Sequence, residues 1–384
     1  MRVDANPWRT YPRIITSYHY LKQPDVLEQF RSTFQTPKNS PHLPWDFLIV
    51  DEAHNLMPSN FGQDSDLAEM LRLISPYFEH KLFLSATPHN GHTRCFTGLL
   101  EQLDPVRFTQ SHELDSKAQA RIGEIVIRRL KREINQFDEE NGRHPRFGDR
   151  LLEPLPLFFD SRESKLSRVF GEFRSAVKRL ITSKAKTEQL AGSFAVEVLN
   201  KRLLSCPYTF AISWQRFQEG VNQDESVQTI EVQAAKKALT ADLDDDLEVE
   251  GRIQYAAKTT GAWLKPLLAD LEIEITAIAD CLSALGWPGK EAEFVDRLPD
   301  PVVDTRWEKL LQLIKQYLRI GKEWVADDRL IIFTEYKTTL DYLERRLRAE
   351  FKDSVSRVRV LYGGMIDQER EAIKQAFNPA FLTN

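Results

Sequence analysis

The chain has 384 residues, 52 Lys+Arg against 57 Asp+Glu, a formal net charge of -5, and 42% hydrophobic residues. At roughly 100–200 residues per domain that is length for two or three domains, and the charge excludes a uniformly basic nucleic-acid binder while leaving room for local basic patches. No stretch approaches the roughly 18 consecutive apolar residues of a membrane span, the opening MRVDANPWRT has no apolar signal core, and Cys95, Cys206 and Cys281 form no CxxC pair, so the expected setting is reducing and cytoplasmic, with no membrane partner.

The first third alternates short β-rich runs with helical stretches, the pattern of an α/β unit built on a parallel sheet. Strands are expected at Arg13 to Ser17, Phe47 to Val50 and Lys81 to Ser85. The unbroken apolar run Phe47-Leu48-Ile49-Val50 suits a strand covered on both faces. Leu67, Met70, Leu71 and Ile74 fall on one side of a helix over Asp66 to Ile74. From about Ser161 to Trp307 the pattern becomes helical, with one apolar stripe through Leu166, Val169, Phe170, Phe173 and Val177 and a further long helix from Ala262 to Leu285, closed by Gly286 and Pro288. The acidic run from Asp242 to Glu250 reads as a solvated loop. The last section returns to α/β: a helix from Thr305 to Leu318, a strand from Leu330 to Thr334, a helix from Thr338 to Glu350, a strand from Val358 to Tyr362, and a final helix capped by Asp367.

The chemistry is concentrated at the ends of two apolar strands. Phe47-Leu48-Ile49-Val50 runs into Asp51-Glu52-Ala53-His54. Two adjacent carboxylates at the end of a buried strand form the Walker B arrangement of nucleotide hydrolases, in which the first acid holds Mg²⁺ through water and the second orients or deprotonates the attacking water. Alternation along a strand would point the two carboxylates in different directions. The bland alternative is an accidental acidic strand end, but this tetrapeptide arises by chance in well under about 1% of chains this long. Some thirty residues on, Leu82-Phe83-Leu84 runs into Ser85-Ala86-Thr87-Pro88. Small hydroxyl side chains there can hydrogen-bond the acidic motif, His54 included, and report the state of a γ-phosphate; capping of the next helix is the plainer role for Ser85 and Thr87.

With these two motifs in order, the chain resembles the Swi/Snf-type superfamily two helicase-like ATPases, in their bacterial RapA/HepA-like branch. Asp51 to His54 matches the family's motif II (a DEAH box) and Ser85 to Thr87 its motif III. Arg13-Ile14-Ile15-Thr16-Ser17-Tyr18 is similar to motif Ib, Ile127 to Glu133 to the basic segment closing the first motor lobe, Leu330 to Thr334 to motif IV, and Leu361-Tyr362-Gly363-Gly364 to the glycine-containing strand end that follows. The resemblance implies tandem RecA-like (P-loop NTPase) lobes, both incomplete: the carboxyl-terminal half of lobe one over 1–135, a mainly helical insertion over 136–304 and the amino-terminal part of lobe two over 305–384.

By the same resemblance, Asp51 and Glu52 are the catalytic acids, with Mg²⁺ on Asp51 through water, and His54, Ser85, Ala86 and Thr87 couple hydrolysis to movement. Thr16, Ser17, Tyr18, Arg128, Arg129, Gly363 and Gly364 are the implied nucleic-acid contacts. The implied cofactors are ATP and Mg²⁺ and the implied partner is double-stranded DNA. The expected activity is ATP hydrolysis coupled to movement on DNA.

The departures are equally specific. There is no G-x-x-x-x-G-K-[ST], since Gly289-Lys290 and Gly321-Lys322 are each followed by Glu. Motif I would precede Met1, and motifs V and VI, the latter with the arginine finger, would follow Asn384. The chain is therefore expected to be incompetent for hydrolysis alone. Its alternatives are a non-catalytic nucleic-acid-binding or interaction module, or one half of a split motor that needs a partner chain, within a larger defence or transcription complex. Arg128, Arg129, Lys131, Arg132, Arg143, Arg146 and Arg150 either line a phosphate groove or form a solvated face. Arg345, Arg346 and Arg348 read as solvated, Trp307 and Trp324 as packing residues, and His89 and His92 as weak candidates for a metal.

Overall fold

The computed structural model describes residues 6–35, 41–148, 150–224, 227–240, 245–287, 300–326, 328–354 and 356–378. Asp242, Leu243 and Asp244 of the acidic run, Pro288 and the Gly289-Lys290 pair lie outside these described residues. The chain divides into two compact units, Met1–Leu152 and Glu153–Asn384.

In the first unit three short helices, α1 (Pro7–Thr10), α2 (Tyr18–Leu21) and α3 (Pro24–Arg31), precede strand β1 (Trp45–Val50). Helix α4 (Asp66–Ile74) then leads to strand β2 (Phe78–Phe83), followed by α5 (Thr93–Leu103), α6 (Ser116–Ile125) and α7 (Lys131–Glu140). β1 and β2 pair in parallel, with Trp45 opposite Phe78 and Val50 opposite Phe83. A parallel pair needs a crossover, and α4 supplies it. Ser65 caps this helix by accepting the Ala68 N–H, and Ala68, Met70, Leu71 and Ile74 are buried on the expected face. The core beneath the sheet gathers Trp8, Phe30, Val50, Leu56, Leu71 and Phe78.

Arg13 to Ser17 is not a strand. No described strand lies beside it to complete a ladder, and Ser17 instead caps α2 by accepting the Tyr20 N–H.

The second unit is a helical assembly of α8 (Ser161–Ile181), α9 (Lys186–Ser205), α10 (Pro207–Val221), α11 (Thr229–Thr240), α12 (Asp246–Leu264) and α13 (Glu272–Ala284). Trp214 lies within aromatic contact of Phe173, Phe210 and Phe217, all buried. α10 and α12 meet backbone to backbone. A methyl group on Gly220 would fall 1.9 Å from the Lys258 carbonyl oxygen, and one on Gly261 would fall 2.0 Å from that of Phe217, so only glycine fits at either place.

The expected single helix from Ala262 to Leu285 is two. Pro266 lacks an N–H and cannot continue α-helical bonding, so α12 gives way to a 3₁₀ segment over Lys265–Asp270 before α13 begins. The carboxyl-terminal part of the acidic run is helical and not a loop, since Asp246 to Glu250 form the first turns of α12.

The carboxyl-terminal helices α14 (Thr305–Tyr317), α15 (Lys337–Glu350) and α16 (Asp367–Phe377) match the expected ones closely, although Ile366, not Asp367, occupies the cap of α16. Neither Leu330 to Thr334 nor Val358 to Tyr362 joins a ladder; the strands of this region are the two-residue hairpin arms β3 (Arg319–Ile320) and β4 (Glu323–Trp324). Ile331 and Phe333 are left exposed. α15 is tied to the helical assembly by hydroxyls, with Thr339 Oγ1 at 2.9 Å from Ser205 Oγ and 2.7 Å from Thr209 Oγ1.

Buried charges in the second unit are paired. Arg202, 1% exposed, forms a bidentate pair with Glu250 (2.9 and 2.5 Å), bonds Ser213 and Thr338, and lies over the Tyr336 ring. Burial alone would raise the Glu250 carboxyl, but the Arg202 charge and hydrogen bonds reverse this and hold it below its ordinary value. Asp304 accepts from the Tyr342 hydroxyl at 2.5 Å, and Arg346 donates to that same hydroxyl at 2.6 Å while stacking on Trp307. Arg346 is thus part of the core, contrary to the solvated reading. Trp307 is buried and Trp324 packs on Phe351, as packing residues should.

Candidate active site

The carboxyl-terminal ends of β1 and β2 are bound together beyond the regular ladder. Leu84 N–H donates to the Val50 carbonyl (2.8 Å) and Ala53 N–H to the Leu84 carbonyl (2.9 Å). Ala53 is fully buried, which fixes the small residue between Glu52 and His54 as the anchor of the turn. Asp51 and Glu52 project from this turn, both exposed. Strand alternation is not what separates them. Glu52 adopts φ 47 and ψ 45, the one left-handed non-glycine among the described residues, and its N–H donates to Asp51 Oδ1 at 2.9 Å. A left-handed non-glycine residue costs on the order of 1–3 kcal/mol, and such strain concentrates at functional turns. The bond to the Glu52 amide orients the Asp51 carboxylate.

His54, half-buried, joins the two motifs. Its Nδ1 lies 3.2 Å from Ser85 Oγ and 3.2 Å from Glu52 Oε2. Ser85 Oγ also accepts the Thr87 N–H at 3.1 Å. With that acceptance made, the Ser85 hydroxyl is free to donate to an unprotonated Nδ1, while a protonated Nδ1 donates to Glu52. His54 therefore bridges the acidic motif and the hydroxyl motif. Ser85 takes part as a link and not as the cap of α5, whose cap is His92. Ala86 and Thr87 are exposed beside it.

Tyr18 belongs to the same surface, since its hydroxyl accepts from Asn55 Nδ2 at 3.0 Å. Asn55 has no place in the sequence reading; its position directly after His54 is the signal that would have found it. Thr16 and Ser17 lie exposed just before Tyr18. The geometry thus brings Tyr18, Glu52, His54 and Ser85 into one bonded group.

The basic segment resolves unevenly. Arg128 and Arg129 are exposed in the extended stretch between α6 and α7. Arg146 makes two hydrogen bonds, at 2.6 and 2.8 Å, to the buried Asp138, and those bonds hold the Asp138 carboxyl below its ordinary value. Lys131 sits over the Phe147 ring. Arg146 is therefore a structural cation, while Arg128 and Arg129 remain open to solvent. His89 Nδ1 accepts the Gly91 N–H at 3.0 Å, a turn role, and among the described residues no group of three or more His, Cys, Asp or Glu could hold a metal ion. Gly363 and Gly364 form a turn in the second unit. Cys95, Cys206 and Cys281 are buried thiols, with burial pushing Cys206 up to about 11. Among the described residues no helix is long and apolar enough to cross a membrane.

Residues 2–155 match the SNF2-related domain family. Over 237 residues, 59% of this chain, the sequence is 25% identical to "RNA polymerase-associated protein RapA" of Actinobacillus pleuropneumoniae serotype 5b (strain L20), and equally to that of serotype 7 (strain AP76). It is also 29% identical over 107 residues, 25% of the chain, to human "Chromodomain-helicase-DNA-binding protein 7". The chain spans 23% of the length of the RapA relatives and 3% of the human one. No solved structure matches it.

Proposed function

We propose that this chain, whose residues 2–155 match the SNF2-related domain family and which is similar to the RapA relatives, is part of an ATP-dependent motor of the Swi/Snf-type helicase-like family that moves on double-stranded DNA. The observation that carries the proposal is the bonded turn at the ends of β1 and β2, where Asp51, Glu52, His54 and Ser85 converge.

In this reading Asp51 would hold Mg²⁺ through water, as an exposed carboxylate at a strand end can for an ion that keeps most of its water shell. When bound, the ion neutralises charge on the nucleotide phosphates. Glu52 orients or deprotonates the attacking water, and His54 with Ser85 and Thr87 links the phosphate state to the rest of the unit. Thr16, Ser17, Tyr18, Arg128, Arg129 and the Gly363–Gly364 amides contact DNA phosphates through hydroxyls, cations and backbone N–H groups. The division into an incomplete first lobe (1–135), a helical insertion (136–304) and part of a second lobe (305–384) belongs to the same proposal. So does a reducing, cytoplasmic setting, in a larger defence complex or in a transcription complex, the latter being what the name of the RapA relatives suggests.

This sequence holds no phosphate loop, so the proposal assigns nucleotide hydrolysis to the combination of this chain with other sequence that supplies one, in the same protein or in a partner. The expected result for the purified 384-residue chain is duplex-DNA binding that weakens steeply with salt and no DNA-stimulated ATP turnover. Turnover abolished by Glu52→Gln would overturn the dependence on further sequence; absence of any DNA binding would overturn the motor reading. The second reading is a nucleic-acid-binding module without catalysis. That reading requires DNA binding to stay unchanged when a phosphate-loop chain and ATP are added.

A further inference from the structure

The acidic run and the Gly363–Gly364 turn, far apart in sequence, meet within the second unit. Asp245 caps α12 by accepting the N–H groups of Leu247 (2.8 Å) and Glu248 (3.4 Å). Asp246 points away from its own helix: Oδ2 accepts the Gly363 N–H at 2.5 Å, while the Asp246 N–H donates to the Gly363 carbonyl at 3.4 Å. Gly364 has φ +86, and a methyl group there would fall 2.9 Å from Asp245 Cγ and Oδ1. The turn therefore favours glycine for its left-handed backbone, and the Asp245 carboxylate lies against it. Lys337 stacks on Tyr362 immediately before the turn, with Nζ 4.5 Å from the ring centre. The other carboxylates of the segment are spent elsewhere, Glu248 on Arg252 and Glu250 on Arg202.

A carboxylate accepting a backbone N–H of a glycine turn makes the same charge-assisted bond that a phosphate oxygen would make there. Two adjacent carboxylates thus hold a turn whose donor is the one a nucleic-acid backbone would use. We propose that the amino-terminus of α12 is an intramolecular phosphate mimic, which closes the Gly363–Gly364 turn until a nucleic-acid phosphate displaces Asp246. The inference rests on the reading of Gly363 and Gly364 as phosphate contacts and adds their regulation.

The test uses the full chain and the double variant Asp245→Asn/Asp246→Asn. Asparagine caps helices as well as aspartate does, so α12 is retained while its two charges are removed. A second double variant, Asp270→Asn/Glu272→Gln, removes two exposed charges elsewhere in the unit. Binding of a fluorescent DNA duplex is measured at low salt, alongside amide hydrogen exchange at 361–365 with and without DNA. The Asp245/Asp246 variant is expected to bind roughly tenfold more tightly than the parent, the scale of one charge-assisted hydrogen bond; the other variant is expected to change less than about twofold, as a remote screened charge should. If both variants tighten equally, or neither does, while DNA still protects the Gly363 and Gly364 amides, the mimic is overturned and the phosphate contact stands. If DNA protects those amides in none of the proteins, the phosphate contact fails and the mimic falls with it.

Discussion

The sheet region and the helical region solve opposite problems. Strands β1 and β2, with Leu84 just past the end of β2, present Phe47, Ile49, Leu82 and Leu84 to solvent at 42–57% exposure, although parallel strands are normally covered on both faces. In the helical unit the corresponding large residues are closed off, with Phe173, Phe210 and Phe217 at 0%. The candidate chemistry lies on the open sheet, at a strained turn held by a handful of hydrogen bonds. Rigidity lies in the helices, where even charged groups such as Arg202 are enclosed and paired. The difference teaches that the candidate chemistry and the most complete apolar burial lie in different parts of the molecule.

That comparison can be broken most severely at Arg202. Arg202→Met leaves Glu250 buried without its partner and should cost about 3–5 kcal/mol, read as loss of exchange protection across α9, α10 and α12 with β1 and β2 unaffected. The same pair makes the helical unit acid-sensitive. Glu250 is depressed in the folded state, so its contribution is present above its ordinary value of 4.5 and is lost as pH falls through the lower folded value. A denaturation series from pH 6 downward should show the helical signal weakening below about 4.5, and Arg202→Met/Glu250→Leu should flatten that slope. Leu71→Ala, fully buried under the sheet, should cost about 2–5 kcal/mol and reverse the pattern, with exchange protection lost at β1 and β2 and kept in α10 and α12. Ser65→Ala removes the cap of α4 and should cost about 1 kcal/mol, measurable as a small shift of the first-unit denaturant midpoint. Smallest is Phe47→Ser on the open face, expected within about 0.5 kcal/mol in the same measurement. A loss comparable with that of Leu71→Ala would mean the face is covered in solution.

Several elements are legible in the amino-acid sequence alone. Asp66–Ile74 and Thr305–Tyr317 are clear because a 3.6-residue apolar stripe needs only one neighbour to bury it, and their caps, Ser65 and Asp304, stand in the sequence. The interruption at Pro266 was readable too, and the periodicity of the flanking residues obscured it. Strands at 13–17, 330–334 and 358–362 were misjudged for a different reason: a strand exists only through its neighbour's hydrogen bonds, and apolar, β-branched composition cannot say whether that neighbour is there.

For the candidate site, the amino-acid sequence alone determined which groups are present, since Asp51-Glu52-Ala53-His54 and Ser85-Ala86-Thr87 are local words set at the ends of apolar runs. Tertiary structure decided what those groups do to one another. The left-handed Glu52, the His54–Ser85 link, the approach of Asn55 to Tyr18, the withdrawal of Arg146 to Asp138 and the seating of Asp246 on Gly363 all join residues that pattern does not relate. Their cause is distance: hydrogen bonds and ion pairs act over about 3 Å, and only the folded chain brings positions 8 to 117 residues apart within that reach.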